Sequence, residues 1–98
     1  MIGRLQSPRA GAPMRVHFPT ALRSYTGAAE VEASGATLGA LLEGLDRRYP
    51  GLRFRVVDEQ DRPRPHIRFF LNGEQVFDLG RRLAPGDELH LVQALSGG

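Results

Sequence analysis

Gly97 and Gly98 close the sequence behind Leu95 and Ser96, and of all its residues they offer the most chemistry. A terminal carboxylate on two residues without Cβ atoms is a narrow, flexible stalk that can thread into a confined active site. Such a stalk suits a group that is acted upon. The rest of the chain offers little catalysis of its own. It contains no Cys, which removes thiol nucleophiles, persulfide carriage and thiolate metal sites together. His17, His66 and His90 are isolated and lack metal-ligand spacing, so surface or packing roles are expected for them, and no metal. Glu30 and Glu32 look like paired carboxylates, but they fall on the outward side of a strand pattern, where such groups are ordinarily solvated. No Gly-rich phosphate loop occurs in the body of the chain.

Charge narrows the partners. All 13 basic residues are Arg, set against 11 acidic ones for a net charge of +2, so the pI near 9.9 reflects the high pKa of guanidinium rather than a large basic excess. Nucleic acid is not implied. Without Lys, no side-chain amine is available for isopeptide linkage. The longest apolar run falls far short of the ~20 residues that span a bilayer, and the opening residues lack the apolar stretch of a secretory signal. The expectation is a cytoplasmic protein of one small domain, since 98 residues organise a single core.

These groups must be positioned by regular elements. Residues 1–13 mix Gly, Pro, Ser and Arg without periodicity and read as a flexible N-terminal tail; residues 14–94 carry the patterned domain, and 95–98 form a flexible C-terminal tail. Met14, Val16 and Phe18 alternate with Arg15 and His17 as a half-buried strand that Pro19 ends. Ala29, Val31 and Ala33 alternate with Glu30 and Glu32, and the intervening SYTG turn predicts a hairpin. Thr37 is placed to cap a helix with an apolar stripe of Leu38, Leu41, Leu42, Leu45 and Tyr49, stopped by Pro50-Gly51. Leu52, Phe54, Val56 and Val57 supply further core from a short helical turn or an irregular strand, two alternatives the pattern leaves open. Asp58 to Pro65 reads as a charged loop. Ile67, Phe69 and Leu71 then alternate inward, Asn72-Gly73 signals a hairpin turn, a short strand is expected around Gln75 to Phe77, and a Pro85-Gly86-Asp87 turn leads to a last strand with Leu89 and Leu91 inward. This predicts an α+β domain of four or five strands with one main helix packed across the sheet. Period 2 turns Phe70, His90 and Val92 to the outer face, a candidate docking patch unless the 52–65 segment covers Phe70.

This order of elements, from hairpin through Asn-Gly and Pro-Gly-Asp turns to the final Gly-Gly, resembles the ubiquitin-like β-grasp sulfur carriers of the MoaD/ThiS family over about residues 14–98. LHLVQALSGG is similar to the end of ubiquitin, and RFFLNGEQV to the strand-turn-strand before it. The stretches FPTALRSYTG and ASGATLGALL, with the long loop before HIRFFLNGEQV, are most similar to the branch that serves cysteine synthesis in actinobacteria.

The resemblance implies a mixed β-grasp sheet and a sulfur carrier rather than an enzyme. By that likeness the Gly98 carboxylate is adenylated by an ATP-dependent, E1-like activating enzyme of the MoeB/ThiF type and converted to a thiocarboxylate. Gly97, Ser96 and Leu95 form the tail, and Phe70, His90 and Val92 coincide with ubiquitin's own docking patch. The carrier then binds no cofactor, ATP being used by its partner. Its further partners are a sulfur-accepting synthase and, in the same family, a metalloprotease or a sulfurtransferase. The leading expectation is sulfur donation for cysteine or another sulfur-containing metabolite. The alternatives are the small subunit of molybdopterin synthase and a ubiquitin-like protein modifier, with a non-covalent adaptor as a third class. Ubiquitin's tail has two Arg where this chain has Ala94 and Ser96, which argues against a ubiquitin-type activating enzyme.

Overall fold

The computed structural model describes residues 13–94, so the tails expected at 1–13 (Pro13 apart) and 95–98 lie outside the described residues. Five strands form one mixed sheet: β1 (Met14–His17), β2 (Glu30–Ala33), β3 (Ile67–Leu71), β4 (Glu74–Val76) and β5 (Glu88–Gln93). They stand in the order β2-β1-β5-β3-β4, with β1 parallel to β5 and every other neighbouring pair antiparallel. The helix α2 (Leu38–Arg48) crosses one face. Its Leu38, Leu41, Leu42 and Leu45 are 0–1% exposed and join Val16, Phe69, Leu89 and Leu91 in a single core. Removing each such side chain from water contributes about 1.5–3 kcal/mol, so this stripe is the main reason the helix forms. Tyr49, the last residue of the predicted stripe, is half-buried against the same core.

The ends of α2 are fixed by both near and distant residues. Thr37 accepts a bond from the Ala40 amide at 3.2 Å, as its N-cap position predicts. The first helical amides, which have no partner within the helix, donate instead to a crossing loop: Leu38 to the Arg81 carbonyl at 3.0 Å and Gly39 to that of Leu79 at 2.8 Å. At the other end Asp46 accepts from the amides of Gly51 and Arg53 and so joins α2 to α3 (Leu52–Val56). That settles the alternative left open at 52–57 in favour of a helical turn. It also corrects Phe54. At 3.6 residues per turn Leu52 and Val56 share the inward side, so Phe54 points away, 60% exposed under the Arg64 guanidinium 4.5 Å from its ring.

Three smaller expectations shift. β1 and β2 pair as a hairpin, but their connection carries a 3-10 turn (Thr20–Leu22) and the short helix α1 (Arg23–Thr26), because Leu22 dips into the core. Ala29 is exposed, since β2 begins one residue later. β4 runs Glu74–Val76 rather than Gln75 to Phe77 because Asn72-Gly73 is a two-residue turn, φ +52° and +86°, that pairs Leu71 directly with Glu74. Phe77 then falls beyond the ladder and is 68% exposed.

The loop entering β3 is tied by Asp58, whose Oδ1 accepts from the amides of Gln60 and Arg62 at 2.9 and 3.0 Å. The Arg62 amide is the chief cause that holds the Asp58 carboxyl below its ordinary value of 3.8; slight burial opposes it, and the Gln60 amide and the Arg62 and Arg64 charges assist. A carboxyl with a lowered folded-state pKa stabilises the fold above its unfolded pKa and loses that contribution as pH falls through the folded value. Thermal melts from about pH 5 down to pH 3 are therefore expected to show a shallower acid decline for Asp58→Asn than for the parent chain.

Close approach singles out Gly35. A Cβ there would lie 2.7 Å from the Leu41 Cα and nearer still to the Leu41 amide nitrogen, against helix backbone that cannot yield. Gly44, within α2, has open space, its nearest neighbours 3.9–4.0 Å from a built Cβ. Urea unfolding should place Gly35→Ala about 2 kcal/mol or more below the parent, whereas Gly44→Ala should gain about 0.5–1 kcal/mol.

Candidate functional site

The outer face of the sheet, opposite α2, is built by register. Glu30, His17, His90, Phe70 and Gln75 lie opposite one another on successive strands from β2 to β4, one continuous row. Glu32, Arg15 and Glu88 make a second row, and Arg68 beside Val92 a third. All three predicted patch residues therefore share this face. His90 is exposed, Val92 is 40% exposed and Phe70 is half-buried, with Phe70 directly beside His90 and Val92 two residues further along β5. The other predicted site residues, Leu95, Ser96, Gly97 and Gly98, lie outside the described residues.

β5 is aimed by a small polar lock at its start. Asn72, in the left-handed region, donates from Nδ2 to Asp87 Oδ1 and accepts at Oδ1 from the Glu88 amide, both at 2.9 Å, while its own amide donates to the Glu88 carbonyl at 2.8 Å. Asp87 Oδ2 in turn accepts from the Ala84 amide at 2.8 Å. The Asn-Gly turn and the Pro-Gly-Asp turn, separate signals in the sequence, thus clasp each other. Just past its far end the Ala94 amide donates to the His66 carbonyl, so the chain is held to the last described residue.

One grouping escapes the sequence pattern. His17 and His90 stack face to face, ring centroids 4.1 Å apart and planes 6° from parallel. Glu30 Oε1 lies 3.5 Å from His17 Nδ1, and Glu88 Oε2 lies 3.8 Å from His17 Nε2. Arg15 stands between the same two carboxylates at 3.5 and 3.8 Å. His66 is exposed and takes no part. The two stacked histidines lie at opposite ends of the chain, and only the parallel β1–β5 pairing brings them together; a parallel register leaves no local signature from which spacing could find it. Glu30, read as merely solvated, is part of this cluster.

A concavity of about 370 Å³ lies where the 62–65 loop meets the β3–β4 hairpin, lined by Arg62, Pro63, Arg68, Gln75 and Phe77 among others. Nothing in the sequence marked it. Among the described residues, no helix is long and apolar enough to cross a membrane.

A mixed five-stranded sheet in this order with one long helix across it is the ubiquitin-like β-grasp fold. The chain belongs to the ThiS family, whose sequence profile matches residues 16–98. It is 35% identical to the sulfur carrier protein CysO of Mycobacterium tuberculosis over 89 residues, covering 85% of this chain and 96% of that protein. Among solved structures, it superposes on the Amycolatopsis orientalis BexX/CysO complex with a TM-score of 0.79 at 32% identity, covering 87% of this chain and 99% of the matched one. It superposes likewise on small archaeal modifier protein SAMP1 from Haloferax volcanii with a TM-score of 0.74 at 32% identity, covering 89% of this chain and all of that one. These relatives are small carriers and modifiers rather than catalysts.

Proposed function

We propose that this chain is a sulfur carrier whose working group is the Gly98 carboxylate. The observation that carries the reading is the family match, which runs through to Gly98 and so includes the terminal Gly-Gly. The identity with a sulfur carrier across most of the chain supports it. In the first step a carboxylate oxygen attacks the α-phosphorus of ATP on a partner enzyme, pyrophosphate leaves and an acyl-adenylate forms. Hydrosulfide then attacks the acyl carbon, a C–S bond replaces the C–O bond to AMP, and a thiocarboxylate results. The thiocarboxylate sulfur then displaces the leaving group of a small-molecule acceptor held by a separate synthase, and later hydrolysis of the acyl link frees the product and restores the Gly98 carboxylate; an activated serine derivative, which gives cysteine, is the leading case. The catalytic groups belong to the partners, in keeping with a chain that has no Cys. A complex of a relative with BexX gives precedent for a carrier of this fold docking on a partner protein.

The outer face supplies the docking surface in this reading. Phe70, His90 and Val92 present partly apolar area beside the strand that leads to the tail, and Arg68 and Gln75 flank them. A protein modifier is the second reading, favoured by 40% identity over 63 residues to small archaeal modifier protein 1 of Haloferax volcanii. The absence of Lys bars chains of this protein linked through its own side chains but leaves other targets open.

Intact mass after incubation with ATP, a sulfide source and the host's activating enzyme separates the two. The carrier reading expects one oxygen replaced by sulfur, localised to Gly98 by fragmentation, and no such product from a chain lacking Gly98 that keeps its circular dichroism. Covalent conjugates that require Gly98, without thiocarboxylate, would transfer the assignment to the modifier. Full sulfur transfer by the truncated chain would refute both. For the docking face, Val92→Asp combined with Phe70→Ala is expected to lower kcat/KM for activation about tenfold or more, as loss of a central interface anchor does. An unchanged kcat/KM in a variant of unchanged amide spectrum would remove this face from the recognition surface.

A further inference from the structure

We propose that His17, His90 and Glu88 form a binding site for a single divalent transition cation, with zinc as the representative case. The inference stands on the geometry of the outer face and is independent of the chemistry at Gly98. The three side chains come from the two central strands, β1 and β5, whose parallel register sets His17 beside His90 and Arg15 beside Glu88. One donor atom from each lies within 4.8 Å of the other two. Zinc bonds to imidazole nitrogen and carboxylate oxygen measure about 2.0–2.1 Å, so tetrahedral ligand atoms sit roughly 3.3 Å apart. The 3.8 Å between His17 Nε2 and Glu88 Oε2 is already near that separation. The exposed His90 and half-buried Glu88 side chains are the ones free to rotate between staggered positions and close the remainder. His90 must turn out of its stack with His17, because parallel rings aim their lone pairs side by side rather than at a common point.

Two observations mark His17 as a prepared ligand. Its Nε2 is shielded from solvent and has no hydrogen-bond partner among the described residues, an arrangement that leaves a lone pair or a proton unanswered. Its Nδ1 faces Glu30 at 3.5 Å. A carboxylate on that side favours the tautomer with hydrogen on Nδ1, which turns the Nε2 lone pair toward Glu88 and the cation; carboxylates so placed behind a ligating histidine are a recurrent feature of metal sites. Glu30 is thus a positioning residue. Arg15, 3.8 Å from Glu88, holds the carboxylate only by an exposed ion pair, a contact weak enough to give way to a cation. Two imidazoles and one carboxylate select borderline transition ions over magnesium and calcium, which prefer all-oxygen shells.

With three ligands from this chain the fourth position stays open to water or to a donor group from a docked protein. Because His90 is also the middle of the docking row, the cation would sit within the surface that a partner covers.

The test is a titration of the full chain, free of any affinity tag, with zinc chloride in a non-coordinating buffer, followed by amide and imidazole NMR. The expected result is saturable one-to-one binding with the largest shifts at His17, Glu88 and His90. His17→Gln and His90→Ala should each raise Kd about tenfold or more, and Glu30→Gln by about tenfold through lost orientation of His17. His66→Ala should leave Kd unchanged, and magnesium chloride should produce no localised shifts. Absence of saturable zinc binding in the parent chain would overturn the proposal. Shifts centred on either terminus or on His66, or an unchanged Kd in both folded His17 and His90 variants, would do the same.

Discussion

The parallel ladder between β1 and β5 joins two segments from opposite ends of the patterned chain in the middle of the sheet, and both faces of the domain depend on it. On the inner side it sets Val16 beside Leu89, neither with any exposed surface, and gives the leucine stripe of α2 a continuous floor. On the outer side the same register sets His17 beside His90. A slip of one residue would exchange the two sides, turning charged and imidazole groups into the leucine layer. The buried stripe therefore enforces the alignment of the outer row, and the candidate site needs no energy of its own to hold it.

Local physics made much of this architecture legible beforehand. The spacing of Leu38, Leu41, Leu42 and Leu45, the cap at Thr37 and the stop at Pro50 define α2 without tertiary information, because each acts within a turn or two of helix. Asn72-Gly73 is equally self-sufficient, since few other pairs accept positive φ at both turn positions. The orientation of Phe70, His90 and Val92 followed from period 2 once their neighbours were recognised as core. Where five residues had to decide between a helical turn and a strand, at 52–56, the pattern was too short, and Phe54 was drawn inward on hydrophobicity alone. Its place was decided by Asp46 reaching forward to the Gly51 and Arg53 amides, a tertiary bond with no sequence mark.

Non-local pairing was the other blind spot. Three isolated histidines carry no pairwise message in the chain, and their separation in sequence argued against a shared site. The register between β1 and β5 reversed that for two of them. Glu30 and Glu32 show the same lesson in milder form: alternation correctly put both outside, but only the neighbouring strand reveals that Glu30 meets an imidazole and a guanidinium. The reading of the tail has a different basis. It rests on residue type and chain order and needs no tertiary context.

The amide bonds from Leu38 and Gly39 to the carbonyls of Arg81 and Leu79 have a bearing on how the domain assembles. The main helix is written early in the chain, yet its first turn is completed by a segment that follows β4. As the polypeptide emerges from synthesis, α2 would have its cap at Thr37 but neither its crossing loop nor the β3 and β5 strands beneath it, so its apolar stripe can only flicker in and out of helical form. Ordering must await the closure of long loops, the slow and cooperative step in domains dominated by distant contacts. The domain therefore becomes structured nearly all at once, when its last strand slots between the first and third.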